Sequence, residues 1–221
     1  MFIGHYSAAF VAATHPKAPK LGTLFIAAQL IDFGFFGLLL TGAERMRLSP
    51  GFTAMNPMDL YDMPLTHSLL GAAVWGLGFA LILRIWLGNW AAGLIGGAVV
   101  LSHWLIDLLV HVPDLTLAGG DVKYGFGLWN HPAIAMPLEI GLTIGSAWLY
   151  TRSTSGPVKP MAILVAVLIA LQAFNWFGPM PTKVDVTMTI MGYLGYGVAT
   201  ILAWWVTKNR KHRGKTLFAF N

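Results

Sequence analysis

The chain has 221 residues, 56% hydrophobic and 10% charged, with a mean hydropathy of +0.65; this is too apolar for a water-soluble domain and suits a polytopic membrane protein. Cysteine is absent, which excludes disulfide staples and thiolate metal sites of the zinc-knuckle kind. The net charge of +5 is local: Lys208, Arg210, Lys211, Arg213 and Lys215 follow Val206 without an acid, as expected of a basic tail against an anionic leaflet rather than of a nucleic-acid patch.

In chain order, Met1 to Thr14 is apolar but, at about 1.5 Å per residue, too short to cross a core about 30 Å thick, so it reads as a half-depth helix carrying His5. It lacks the basic start of a signal peptide. Leu21 to Thr41 is long enough to span and holds Asp32 near its middle. Ala43 to Thr66 reads as a loop broken by Pro50, Gly51, Pro57 and Pro64, with Asp59 and Asp62 expected in water. His67 and Ser68 open a third span ending near Leu87, where the positive end of the helix dipole favours neutral imidazole at His67.

Asn89 to Val112 is a fourth span, and its Gly93 and Gly97 predict a close helix neighbour. A Gly-rich loop from Pro113 to Pro132 holds Asp114, Trp129 and His131, and Ala133 to Tyr150 is a fifth span containing Glu139. Met161 to Phe177 and Thr187 to Val206 carry no ionisable residue and read as scaffold; Gly141/Gly145 and Gly192/Gly195 suggest further tight contacts. No internal repeat or soluble domain is visible. The expectation is one all-α domain over 1–221, a polytopic transmembrane bundle of about seven helices: a metal-site half in 1–150, scaffold helices in 151–206 and a tail in 207–221.

Orientation follows from the basic residues. With the N-terminus outside and the C-terminus cytoplasmic, Lys17, Lys20, Arg84, Arg152, Lys159 and the tail lie inside, as expected of a multi-pass protein of the plasma (inner) membrane. Trp86, Trp90, Tyr150, Trp204 and Trp205 then mark the inner interface, and Tyr61, Tyr124, Trp129 and Trp176 the outer one. His5 and Asp32 fall near mid-membrane, His103 and Asp107 in the outer half, and His67, His111 and His131 at the outer rim.

The stretch Leu101 to Val112 carries His103, Asp107 and His111 four residues apart, one polar stripe on an apolar helix. An ionised Asp at such depth costs roughly 2.5 to 3.5 kcal/mol on insertion scales and needs compensation. Imidazoles and carboxylates without thiols form a zinc-type set, and a divalent cation would offset the burial of Asp32 and Asp107.

These residues resemble the membrane-bound metal-dependent hydrolases, whose pattern is an N-terminal His, an Asp in the next helix, a Thr-His-Ser and a His-x-x-x-Asp helix. Here they are His5, Asp32, Thr66-His67-Ser68, and His103 with Asp107. The same order is similar to the zinc ligands of the zinc-dependent phospholipase C family. That resemblance implies Asp32, His67, His103 and Asp107 around one ion and His5 with a bridging Asp107 at another, with His111, His131 and Glu139 as candidates for a further ion. The chain departs from the hydrolase pattern in having Leu30-Ile31-Asp32-Phe33 and Asp62-Met63-Pro64-Leu65 where the family has Pro-Asp-x-Asp and a His-Arg pair.

Two classes of function follow. One is a metal-dependent hydrolase, most simply with zinc, cleaving a phosphoester or related ester of a lipid-like small molecule at an outward cavity, with Asp62 steering the water. The other is a divalent-cation or proton-coupled transporter. The inner halves of the helices are rich in Gly, Ala, Leu and Val and contain no acid, which favours a blind cavity over a conduit. Expected partners are the substrate and membrane lipids, with no nucleic acid; a homo-oligomer is admitted.

Overall fold

The computed structural model describes residues 1–213. Ile3–His5 forms a 3-10 turn that runs into α1 (Tyr6–Ala12), followed by α2 (Leu21–Thr41), α3 (Leu69–Leu87), α4 (Trp90–Val110), α5 (Pro132–Ser153), α6 (Val158–Phe177) and α7 (Val186–Asn209). The six helices α2 to α7 are long and apolar enough to cross a membrane, so this is a multi-pass, all-α membrane protein. Lys215 of the basic tail lies outside the described residues.

Local chemistry sets the helix ends. Ser68 caps α3 by accepting from the Gly71 amide, Asn89 caps α4 by accepting from Ala91, and Asp185 caps α7 by accepting from Thr187 and Met188. Gly42 and Gly88 end α2 and α3 in the left-handed conformation that only glycine adopts cheaply, at φ 74° and 66°. Because Ser68 is the cap, His67 stands just outside α3 rather than in its first turn.

The bundle turns soluble packing logic inside out. On α3 the inner face is small, with Ala72, Gly76 and Ala80 buried, while Leu70, Val74, Leu77, Leu81 and Ile85 point outward as a lipid-facing stripe. The small face lets α3 and α4 touch by backbone: a Cβ on Gly97 would stand 2.7 Å from the Gly76 carbonyl oxygen, and one on Gly76 2.9 Å from that of Gly97. The close contact expected at Gly93 and Gly97 is therefore present. Gly141 and Gly145 face open space and make no such contact; Gly192 instead seats Phe36.

Around this pair, α2 packs on α4 and α7, α1 on α2 and α5, and α6 on α7. Tyr6, Phe10 and Phe25 are fully buried where α1 meets α2, with Tyr6 and Phe25 stacked at 4.1 Å.

The region expected to be a plain loop before α3 contains a hairpin of β1 (Arg45–Leu48) and β2 (Met58–Asp62). Arg47 donates to Asp59, which is buried rather than solvated. A second short pairing, β3 (Thr154–Ser155) with β4 (Lys211–His212), ties the tail to the end of α5. There Arg210 is buried, and its guanidinium donates to Thr154 Oγ1 and to the carbonyls of Thr151, Thr154, Gly156 and Pro157. One tail cation is thus a structural clamp. Two expected interfacial aromatics, Tyr150 and Trp129, are also buried, whereas Trp86 and Trp90 are exposed as expected.

Candidate metal centre

Four elements meet at Asp107. It projects from α4 one turn after His103 and one turn before His111, which sits at the C-cap where the helix has just ended. Asp107 Oδ2 lies 3.0 Å from His103 Nε2 and 3.7 Å from His67 Nε2; Oδ1 lies 3.1 Å from His5 Nε2, 3.5 Å from His111 Nε2 and 2.7 Å from the Met1 nitrogen, which donates to it. Asp32, from the middle of α2, places Oδ1 3.5 Å from both His67 Nε2 and His103 Nε2. Only Asp32 keeps appreciable solvent access, at 18% of its side chain.

Donor atoms this close could hold a metal ion. Zinc bonds of about 2.0 to 2.2 Å in a tetrahedron put neighbouring donor atoms roughly 3.4 Å apart. Asp32 Oδ1 is 3.5 Å from His67 Nε2 and from His103 Nε2, and Asp107 Oδ2 is 3.7 and 3.0 Å from the same two nitrogens, but Asp32 and Asp107 do not fall into one mutually close group. His5 Nε2 and His103 Nε2, although 3.1 and 3.0 Å from Asp107 oxygens, are not aligned for hydrogen bonds and have no partner. A buried nitrogen without a partner is costly unless something else fills its lone pair. Two groups, His5 with His103 and Asp107, and Asp32 with His67 and His103, could hold a metal ion.

The Nδ1 atoms of His103, His111 and His67 are held from behind, whereas His5 Nδ1 has no partner among the described residues. His103 Nδ1 is 2.8 Å from the Ala28 carbonyl oxygen, His111 Nδ1 is 2.9 Å from Asp114 Oδ1, and His67 Nδ1 is 2.8 Å from Thr66 Oγ1. The first two acceptors require the proton on Nδ1 of a neutral ring, leaving Nε2 free to ligate. The carboxylates of Asp114 and Asp107, 2.9 and 3.5 Å from the His111 ring nitrogens, make a local field that favours a cation. Trp129 packs on the His111 ring at 4.2 Å, and Trp104 Nε1 donates to the His67 carbonyl. The Gly-rich loop holds the start of α3 in place, since the Leu69 and Leu70 amides donate to Thr116 and Leu117.

Of the residues singled out in the sequence, His5, Asp32, His67, His103, Asp107 and His111 come together here. His131 does not: it is exposed at the start of α5 and does not line the cavity. Asp62 stands on β2 opposite Arg45 and does not line the cavity. Glu139 lines the cavity, and its Oε1 accepts from the amides of Phe2 (2.7 Å) and Gly4 (3.0 Å), which fastens the N-terminal turn.

The helices read as scaffold also take part. Gln172 of α6 accepts from the Ile3 amide, and Tyr196 of α7 donates to Asp32 Oδ2. Gln29, Gln172 and Glu44 also escaped the sequence reading. A buried Gln in an apolar span was a visible signal for the first two; nothing in the sequence distinguished Glu44.

The site forms one end of a cavity of about 560 Å³. Its wall is largely apolar (Phe35, Phe36, Met55, Leu171, Met188 and Met191), and its mouth includes Asn175, Thr182 and Lys183. Comparison with protein-family models, curated proteins and solved structures gives no match to this chain.

Proposed function

We propose that the chain is an integral membrane metal-dependent hydrolase, most simply a zinc enzyme of the inner membrane, that cleaves a phosphoester or related ester of a lipid-like substrate. The observation that carries this reading is the set of bare imidazole Nε2 atoms and carboxylate oxygens at 3.0 to 3.7 Å around Asp107, at the end of an apolar cavity. Asp32, His67, His103 and Asp107 would hold one ion, with His5 and His111 on the other oxygen of Asp107. The resemblance to the membrane-bound metal-dependent hydrolases rests on five of these six residues.

When bound, such an ion supplies a Lewis acid for a phosphoryl or carbonyl oxygen and a source of hydroxide near neutral pH. The protein's own part is to keep the imidazoles neutral and aimed, to exclude bulk water, and to admit an apolar chain along Phe36, Met188 and Met191. Among the described residues Lys183 is the single Lys or Arg of the cavity lining, so a phosphate group would be recognised mainly at the ligand cluster. Transport is the weaker reading, because the fully buried Tyr6, Phe10 and Phe25 lie between the cluster and the loop after α1.

The test combines elemental analysis of the detergent-purified chain with assay against a panel of phospholipids, lipid phosphates and other lipid esters. Wild type should carry a stoichiometric divalent metal and hydrolyse a member of the panel, and Asp107→Asn should lose both. Full metal occupancy without hydrolysis, together with proton or divalent-ion flux in liposomes, overturns the enzyme reading in favour of transport.

A further inference from the structure

Glu44 lies just past the end of α2, is completely buried, and touches no other ligand candidate. Its Oε1 accepts from the amides of Leu65 and Thr66, each at 2.8 Å, and its Oε2 accepts from the Thr66 hydroxyl at 2.6 Å. Three donors converging on one carboxylate make it an acceptor throughout. The single hydroxyl proton of Thr66 is therefore committed to Glu44. Thr66 Oγ1, 2.8 Å from His67 Nδ1, can then only accept, and the proton of a neutral His67 ring must sit on Nδ1.

We propose that Glu44 is a positioning residue that acts through Thr66 to fix the tautomer of His67, holding the Nε2 lone pair toward Asp32 and Asp107. The consequence for metal affinity rests on the metal-site reading above; the tautomer itself does not. The arrangement matches what Ala28 does for His103 and Asp114 for His111, but here direction is transmitted through a hydroxyl, so it is reversible by one isosteric change. In Glu44→Gln the side-chain oxygen still accepts from Leu65 and Thr66, while the new amide donates to Thr66 Oγ1. The hydroxyl proton then turns to His67 Nδ1, and the ring proton moves to Nε2, where a ligand lone pair is needed.

The experiment is nitrogen-15 NMR of the imidazoles in the detergent-purified, chelator-treated full chain, with His67 assigned by loss of its signals in His67→Phe, alongside zinc titration. Wild type and Thr66→Ser should show Nε2 unprotonated. Glu44→Gln should show Nε2 protonated, and its zinc affinity should fall by about 10- to 100-fold. An unchanged His67 tautomer in Glu44→Gln overturns the proposal. A switched tautomer with zinc bound by neither protein sustains the relay and removes only the metal-site reading. Should Glu44→Gln fail to fold, Thr66→Val, which gives His67 Nδ1 no acceptor, should show a mixture of tautomers that Thr66→Ser does not; a single wild-type tautomer in Thr66→Val overturns the relay.

Discussion

The imidazole rings of His5 and His103 stack face to face, 3.7 Å between centroids and 5° from parallel. This contact joins the N-terminal turn to the middle of α4, and it gives His5 a packing role separable from any ligand role. His5→Phe keeps a flat ring on His103 but removes the nitrogen that faces Asp107. It is expected to lower bound metal while leaving the melting temperature of the metal-free protein within a few degrees of wild type, whereas His5→Ala should lower both. Equal metal content in His5→Phe and wild type, measured by elemental analysis, would remove His5 from the ligand set.

Metal removal should be visible in stability. A ligand present at 100 times its dissociation constant stabilises by about 2.7 kcal/mol, so a chelator should produce a clear drop in the melting temperature of wild type and none in Asp107→Asn. The check is thermal unfolding in detergent with and without chelator.

The two glycine pairs make opposite forecasts. Gly97→Val places a branched side chain against the Gly76 carbonyl and should cost several kcal/mol or prevent folding. Gly141→Ala meets nothing within 4 Å and should be neutral or slightly stabilising. Yields and melting temperatures of the two variants decide this.

Arg210 and Lys208 are two residues apart and equal in charge, yet only Arg210 is buried among carbonyl oxygens. Arg210→Ala should destabilise by about 2 to 4 kcal/mol through the stranded acceptors. Lys208→Ala, on an exposed side chain, should stay within about 0.5 kcal/mol.

A reporter active only in the cytoplasm, fused after Asn221, should be active if the Lys/Arg bias sets the orientation. A silent, well-expressed fusion would reverse the topology and turn the cavity inward.

The spans were legible because about 20 consecutive apolar residues admit little but a membrane helix, and the i, i+4 stripe through His103, Asp107 and His111 needed only helical geometry. Less legible was anything decided by hydrogen bonding across elements. Asp62 and His131 looked like site residues from proximity in sequence, but strand pairing with Arg45 and exposure at a helix start took them elsewhere. Glu139 had the right depth, and the backbone amides of Phe2 and Gly4 took one of its two oxygens. Glu44 sat beside two arginine-bearing positions in a segment that read as a loop, and only the fold reveals that it faces inward to Thr66. Arg210 looked like one more topogenic charge until the turn after α5 presented it with carbonyls.

The backbone contact between α3 and α4 also divides the molecule mechanically. At Gly76 and Gly97 the two helices touch backbone to backbone, so the pair behaves as a stiff fork, with His67 just ahead of one tine and His103 and Asp107 on the other. The opposite wall, where residues 178–185 join α6 to α7, is built of exposed and half-exposed side chains with Pro179 and Pro181 among them. Exposed side chains are therefore concentrated on the side of the mouth, while His5, His103 and Asp107 are fully buried. Any adjustment to a bound molecule at that exposed wall would leave untouched the spacing that the α3–α4 backbone contact sets among His67, His103 and Asp107.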